Sequence, residues 1–202
     1  MSELTIADMF TIYDGALSPE FCRDVIERFE KDPRKIKGLV GEGAYRPEFK
    51  GTTEIDFAEI SQGWEDVIAI VNRNLMHNLR DYMNKWGRAF KSVNVVHEGF
   101  RMSRYNPGEL FDWHSDNIGS SLTRVITAMW YLNTVDEGGA TEYSWAGQSL
   151  EPVEGRLVLA PVGWPFYHRG APPVSGPKYI IITQLHQQRI KLEAPPPADQ
   201  TG

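Results

Sequence analysis

Four side chains with metal-binding or charge-pairing chemistry follow one another in the second half of the chain: His114, Asp116, His168 and Lys178. Two imidazoles and one carboxylate can bind one face of a ferrous ion and leave its other positions open. A lysine supplies a positive charge that suits a carboxylate ligand. A His-x-Asp pair alone is a weak signal, because such pairs also arise by chance. The ordered set of four is stronger, and it predicts an iron site beside a carboxylate site.

The spacing of the first two residues favours a strand. Residues i and i+2 of a strand project from the same face, so His114 and Asp116 can both reach one ion at the strand's end. The third ligand must then come from another strand. His168 is placed for this, since it follows the apolar run 156–160 and an aromatic loop.

Two amphipathic helices are expected in the first half of the chain. Ser18 can cap the first, over residues 18–31, and Pro19 suits its first position. The second is expected from about residue 64 to residue 86, where apolar residues follow the 3.6-residue period. The glycine-rich segment between them, residues 34–53, is a candidate lid, with a passive surface loop as the alternative.

Short strands separated by glycine and proline clusters follow residue 90. We expect them at 91–105, 122–132, 141–145, 156–160 and 178–186. Helices first and short strands afterwards indicate an α+β fold whose strands close as a sandwich or barrel. A single domain is expected over residues 1–193, with helical support in 1–90 and a catalytic core in 91–193. Residues 194–202 include three consecutive prolines and no large apolar residue, and they are expected to be a disordered tail.

Composition limits the expected partners and setting. The net charge of −6 argues against a nucleic-acid surface, which needs a basic stripe. Apolar runs are far shorter than the ~20 residues that cross a bilayer, and the N-terminus lacks a signal-peptide pattern. Cys22 is the only cysteine, so no intrachain disulfide can form, and a cytoplasmic location is expected. The oligomeric state is left open.

Six blocks of sequence carry a resemblance to a known family. They are residues 104–108, 114–116, 124–133, 137–143 and 155–161, and the pair of His168 and Lys178. In this order, the segment from about residue 100 to residue 186 resembles the catalytic core of the Fe(II)- and 2-oxoglutarate-dependent oxygenases. The resemblance is to their prolyl 4-hydroxylase-like branch.

The resemblance implies a fold and a set of cofactor contacts. The fold would be a double-stranded β-helix, or jelly roll, with supporting N-terminal helices and iron at its open end. His114, Asp116 and His168 would bind the iron as catalytic ligands. Lys178 would pair with the far carboxylate of 2-oxoglutarate. Hydroxyl groups that would help to bind this co-substrate belong to Tyr105, Thr141 and Tyr131.

The activity that the resemblance implies is hydroxylation of a C–H bond, on a prolyl residue, an amino acid or another small molecule. Fe(II), 2-oxoglutarate and O2 would be required, with ascorbate as a possible reductant, and succinate and CO2 would be released. Ala160 and Gln184 stand where family members commonly carry a large aromatic residue. These departures leave the substrate open.

Two other functions fit parts of the pattern. A non-catalytic jelly-roll binding module would keep the fold, but it would be expected to lose a ligand or the lysine. A metal-dependent hydrolase could use the same ligand set on zinc. Such an enzyme would have no need for Lys178 in an apolar strand.

Strand alternation suggests contacts to a small-molecule or peptide substrate. If Lys178 points inward, Gln184 also does, and if Tyr105 points inward, Arg101 does. Arg124 opens a strand where family members often place a substrate-contacting arginine. We therefore expect Arg101, Arg124 and Gln184 to contact the substrate.

Overall fold

The computed structural model describes residues 5–41, 43–87 and 94–188, which form two α-helices and twelve β-strands. The helices are α1 (Pro19–Lys31) and α2 (Glu65–Trp86). The strands are β1 (Thr11–Tyr13), β2 (Ile36–Lys37), β3 (Thr53–Asp56), β4 (Asn94–His97), β5 (Arg101–Tyr105), β6 (Phe111–His114), β7 (Arg124–Tyr131), β8 (Thr141–Tyr143), β9 (Gln148–Leu150), β10 (Leu157–Pro161), β11 (His168–Gly170) and β12 (Lys178–Gln188).

The strands form a large and a small sheet. In the eight-stranded sheet the order is β1-β10-β7-β12-β5-β3-β2, with β4 paired beside the end of β12. In the four-stranded sheet the order is β6-β11-β8-β9. All pairings between these described strands are antiparallel. The molecule therefore consists mainly of antiparallel sheets with two helices, in agreement with the α+β class.

Local sequence explains where the helices begin and end. The Ser18 hydroxyl accepts a hydrogen bond from the Phe21 N–H at 3.2 Å, and Pro19 is the first helical residue of α1. α2 ends at Gly87, whose φ of 49° is a conformation that glycine adopts without strain. Both helices lie within one residue of the ranges expected from the sequence. No helix among the described residues is long and apolar enough to span a lipid bilayer.

Apolar side chains form two cores, one on each face of the large sheet. The outer core joins the helices to this sheet and includes Cys22, Val25, Phe29, Ile55, Val67, Val71, Leu75, Leu79, Met102, Ala128, Trp130, Leu157, Leu159 and Ile181. The inner core lies between the two sheets and includes Phe10, Tyr105, Met129, Tyr131, Tyr143, Leu150, Val158, Phe166 and Ile180. Successive strand residues face opposite sides, so Ile181 packs on the helices while Ile180 faces the interior. The candidate functional side chains lie in this interior, between the large and the small sheet.

Two expected segments differ in the structure. The strand expected over 91–105 is two strands, β4 and β5, because Gly99 breaks it with a φ of 98°. A Cβ there would lie 2.8 Å from the Ala58 Cβ. Residues 34–53 contain β2 and an isolated bridge between Val40 and Ala44. The tail at residues 194–202 lies outside the described residues.

Candidate metal and co-substrate site

His114, Asp116 and His168 come together at the end of the inner cavity. One ligand atom from each lies within 4.8 Å of the others. Nε2 of His114 is 3.5 Å from the Asp116 Oδ1, and Nε2 of His168 is 3.9 Å from Oδ2. The two histidines are direct cross-strand partners on β6 and β11. Asp116 differs from expectation, since it lies in a bend two residues beyond the end of β6.

Backbone carbonyl groups fix the orientation of both imidazoles. His114 Nδ1 is 2.7 Å from the Asp112 carbonyl oxygen, and His168 Nδ1 is 3.0 Å from that of Phe166. A carbonyl oxygen can only accept, so each Nδ1 carries the proton and each Nε2 keeps a free lone pair. Metal-binding histidines show this pattern, in which a partner sets the ring and its tautomer. The donor set therefore fits Fe(II), for which two histidines and one carboxylate are typical.

The protonation states of Asp116 and His168 also suit a divalent cation. Burial would raise the pKa of Asp116, but the nearby His168 and His114 and a hydrogen bond from the Thr127 hydroxyl hold it below its ordinary value. That hydroxyl donates to Asp116 Oδ2 at 2.8 Å. Burial lowers the pKa of His168 to about 4. At neutral pH the site thus presents a carboxylate and a neutral imidazole, the forms that bind metals.

Lys178 lies in the same cavity and is 1% exposed. Its Nζ donates to the Gly139 carbonyl oxygen at 2.8 Å and lies 4.3 Å from the centre of the Tyr105 ring. Burial lowers the pKa of this amine to about 7. Among the described residues, no carboxylate lies within ion-pair distance of it. A buried ammonium without an anion is costly, so the site is suited to an incoming carboxylate.

The three hydroxyl residues expected around Lys178 have different positions. Tyr105 is the cross-strand partner of Lys178, and both Tyr105 and Thr141 line the cavity. Tyr131 is fully buried and is not among the lining residues. Its hydroxyl lies 2.7 Å from the Thr141 Oγ1 and 3.1 Å from the Leu150 carbonyl oxygen. Tyr131 therefore fixes Thr141 and contacts the cavity only through it.

The three expected substrate contacts all line the cavity, whose volume is about 560 Å³. Gln184 lies opposite Thr127 in the sheet, close to the metal-binding end. The Arg124 guanidinium is held by Glu98, at 2.7 and 3.0 Å, and by the Asp116 carbonyl oxygen at 3.1 Å. Its hydrogen bonds thus tie the segment that carries Asp116 to the large sheet. The side chain of Arg101 is 31% exposed.

Part of the cavity wall comes from the glycine-rich segment that the sequence marks as a candidate lid, and from Glu54 just after it. Leu39, Val40, Phe49, Lys50 and Glu54 all line the cavity. Lys50 also lies 5.2 Å above the Phe111 ring, which stacks on His114 at 3.6 Å. The glycine-rich segment is therefore in contact with the metal-binding end. In the sequence, the length of this glycine-rich connection between two helices was the signal that it could have a functional role.

A row of aromatic rings lies beside two of the metal-binding residues. Trp113 stacks on Tyr167 at 5.8 Å, Tyr167 on Trp145 at 5.7 Å, and Trp145 meets Trp164 edge-on at 6.0 Å. Trp145 and Trp164 are 62% and 76% exposed. Trp113 and Tyr167 directly precede His114 and His168 in sequence, so one end of the row adjoins the metal-binding residues.

Comparison with known proteins supports the chemistry of this site. Residues 100–186 match the model of a family described as the 2OG-Fe(II) oxygenase superfamily. The match begins just before β5 and ends within β12, so it contains both histidines, Asp116 and Lys178. Among proteins with curated functions, none matches this sequence.

Solved structures of three proteins share the fold. The viral collagen prolyl hydroxylase of Paramecium Bursaria Chlorella virus-1, in complex with 2OG, matches with a TM-score of 0.66 and 21% identity, over 91% of this chain and 98% of that one. A Pseudomonas putida prolyl-4-hydroxylase matches with a TM-score of 0.66 and 18% identity, over 90% and 97%. A prolyl hydroxylase from Trichoplax adhaerens, in complex with a hypoxia inducible factor peptide fragment, matches with a TM-score of 0.70 and 16% identity, over 88% and 83%.

Proposed function

We propose that this chain is a 2-oxoglutarate-dependent iron dioxygenase that hydroxylates a C–H bond of a small-molecule or peptidyl substrate, since residues 100–186 match the model of the 2OG-Fe(II) oxygenase superfamily. The reaction consumes 2-oxoglutarate and O2 and yields the alcohol, succinate and CO2. One oxygen atom enters the C–H bond and the other enters succinate, so the atoms balance. The two sheets are proposed to form a double-stranded β-helix, within a single domain.

One observation supports this proposal most strongly. A buried ammonium group, that of Lys178, shares a cavity with two histidines and an aspartate whose ligand atoms lie within 4.8 Å of one another. A metal site for hydrolysis needs an activated water, and that chemistry does not by itself require a buried cation elsewhere in the cavity. A co-substrate that binds metal at one end and carries a carboxylate at the other accounts for both groups.

Each group in the cavity has a distinct task. His114, Asp116 and His168 hold Fe(II), which when bound supplies the oxidative chemistry with O2. Lys178 binds the far carboxylate of 2-oxoglutarate, with the hydroxyl groups of Tyr105 and Thr141 beside it. A charge-assisted hydrogen bond of this kind is roughly twice as strong as a neutral one. Apolar side chains such as Met129, Ile180 and Ile182 line the rest of the cavity, and the protein orients the reactants while the cofactor carries the chemistry.

The similar solved structures support our proposal for the class of substrate. Their names describe prolyl hydroxylases, and one of them holds a peptide. We therefore propose a prolyl residue, a free amino acid or a related small molecule as the target.

Succinate release from 2-oxoglutarate, with ferrous iron and ascorbate, tests the reaction class. The wild-type protein should release succinate, and a substrate should increase the rate. Asp116→Ala should lower it by at least about a hundredfold, since even outer partners of metal ligands contribute 10- to 100-fold.

Asp136→Ala is the matched control, because this aspartate is exposed. It should keep the wild-type rate. The oxygenase proposal would be wrong if the wild-type protein released no succinate with any member of a broad substrate panel, or if Asp116→Ala released as much as the wild type.

A further inference from the structure

The wall of the cavity formed by β3 and β5 carries a cluster of charges that the cofactors do not use. Lys50 Nζ lies 2.9 Å from Glu54 Oε1, and both residues are 4% exposed. Arg101 Nε lies 3.7 Å from Glu54 Oε2. Two cationic side chains therefore face one carboxylate, and all three residues line the cavity.

The carboxylate of this cluster is fixed in place and charged. The hydroxyl groups of Thr52 and Ser103 lie 2.8 and 3.1 Å from Glu54 Oε1. Burial would raise the pKa of Glu54, but the attraction of Arg101 and Lys50 outweighs it and keeps the pKa below its ordinary value. Glu54 Oε1 thus has three partners, whereas Arg101 contacts only the other carboxylate oxygen, Oε2.

Arg101 retains donor capacity that its surroundings do not satisfy. Its Nε is buried and has no hydrogen-bond partner within the described part of the chain. Asp56 lies opposite it in the sheet, but Asp56 Oδ1 accepts from the Ala58 N–H at 2.9 Å, and no ion pair joins Asp56 to Arg101. Buried polar atoms are rarely left without a partner, and the part-exposed guanidinium therefore has donor capacity available to a ligand in the cavity.

The other charged groups near Arg101 are already paired. Glu98 and Arg124 bind each other through two hydrogen bonds, and Glu98 also lies 2.6 Å from His186 Nε2. At the metal centre, a divalent iron, Asp116, Lys178 and doubly charged 2-oxoglutarate sum to zero. The excess positive charge of the loaded cavity therefore lies at the Arg101 cluster.

The position of Arg101 separates it from the 2-oxoglutarate anchor. Arg101 is the cross-strand partner of Ile182, whereas Tyr105 is the partner of Lys178. Four residues of strand separate the two backbone positions, or about 13 Å at 3.3 Å per residue. In the proposed function one end of 2-oxoglutarate binds the metal and its far carboxylate binds Lys178, so an anion at Arg101 belongs to a second molecule.

We propose that Arg101 is the receptor for a carboxylate group of the substrate to be hydroxylated. This rests on the oxygenase function proposed above and assigns the chemistry of its substrate. Glu54 is a positioning residue, which holds the guanidinium against the wall while Lys50 balances its charge. The carboxylate belongs either to a free amino or carboxylic acid or to an acidic residue beside the target in a peptide.

The first experiment observes Arg101 directly in the wild-type protein. Protein loaded with diamagnetic Zn(II) and 2-oxoglutarate is labelled with 15N-arginine, and the Arg101 Nε resonance is assigned from its absence in Arg101→Met. Propionate should shift this resonance saturably, and propionamide should not. Equal shifts with both probes, or none with propionate, would overturn the proposal.

The second experiment measures substrate-stimulated consumption of 2-oxoglutarate by the iron-loaded enzyme. Matched probes are L-proline with L-prolinamide, L-leucine with L-leucinamide, and amide-capped proline peptides that carry aspartate or asparagine beside the proline. The best acid should exceed its amide in kcat/KM by about 10- to 100-fold, the range of a charge-assisted hydrogen bond. A free acid as best substrate identifies a small molecule, and an aspartyl peptide identifies a protein target.

Variants separate this inference from the reaction class. Arg101→Met should remove the preference for acids, Arg101→Lys should retain part of it, and Arg23→Met, an exposed charge on α1, should leave it unchanged. Circular dichroism verifies that each variant folds. If the enzyme turned over 2-oxoglutarate but acids and amides stimulated it equally, the receptor would be refuted while the oxygenase function stood. Failure of the wild type to bind 2-oxoglutarate would instead refute the function, and the receptor proposal with it.

Discussion

At the scale of single residues, Lys178 has a deeply buried amine whose pKa depends on whether an anion is bound beside it. In the ligand-free protein burial lowers its pKa to about 7, from an ordinary 10.5. A bound carboxylate favours the ammonium form and raises that pKa again. Binding of 2-oxoglutarate above pH 7 must therefore be accompanied by proton uptake.

This linkage predicts how the affinity for 2-oxoglutarate changes with pH. Below about pH 7 the amine is already protonated, and Lys178 contributes no pH dependence. Above it, the affinity should fall by up to about tenfold per pH unit until the pKa of the complex is reached. Calorimetry of Mn(II)-loaded protein at pH 8, in two buffers of different ionisation enthalpy, measures the proton taken up.

Lys178→Met should remove the proton uptake and weaken 2-oxoglutarate binding by about 10- to 100-fold. Lys31→Met removes an exposed charge, since the Lys31 side chain is 78% exposed, and should change neither quantity. Proton uptake that persisted in Lys178→Met would assign the effect to another group.

The same lowered pKa of Lys178 has a consequence for the stability of the ligand-free protein. Between about pH 7 and 10.5 the unfolded chain binds more protons, so the Lys178 contribution to the free energy of unfolding rises with pH.

Residue order, spacing and the family resemblance single out the two histidines, Asp116 and Lys178, and the structure brings all four to one cavity. The cluster of Lys50, Glu54 and Arg101 could not be predicted, because it forms only when β3 pairs with β5. In sequence, Lys50 and Glu54 resemble an ordinary exposed pair of opposite charges.

At the scale of elements, α2 contributes to stability through one face. Leu75 is 1% exposed and lies in the outer core, and its neighbour Met76 is 52% exposed. Leu75→Ala should lower the free energy of unfolding by about 2–5 kcal/mol, because it removes buried methyl groups and leaves a cavity. Met76→Ala should change it by no more than about 0.5 kcal/mol. Urea denaturation measures both, and equal losses would mean that α2 does not pack as described.

Long elements could be predicted from the sequence and short ones could not. The β-branched run within β12 and the 3.6-residue period of α2 are local signals, and both elements lie near their predicted ranges. β6 and β11 have four and three residues, too few for a recognisable alternation. They are stabilised by pairing, in which His114 lies opposite His168. The sequence signal for the metal site was therefore the identity of its ligand residues, because the strands that carry the histidines show almost no strand pattern of their own.

At the scale of the whole molecule, the large sheet separates two kinds of interior. Its outer face is covered by helices and is apolar, whereas its inner face carries charged and polar side chains around a cavity of about 560 Å³. Buried charges reduce stability unless they are paired. The outer core thus supplies packing that offsets the cost of a polar interior. This division places function on one face of the sheet and most of the stabilising contacts on the other.

The aromatic row beside the two histidine strands gives the protein an intrinsic fluorescence signal that reports whether metal is bound. Trp113, Trp145 and Trp164 are half of the six tryptophans. Trp113 and Tyr167 in this row directly precede two of the metal-binding residues in sequence. A paramagnetic ion quenches nearby indole emission, so ferrous iron should dim the intrinsic fluorescence under anaerobic titration. Trp113→Phe should reduce that dimming and Asp116→Ala should abolish it; equal dimming in Asp116→Ala would mean that the ion sits elsewhere. Loading of the centre could then be followed in real time with light alone, before any substrate is known.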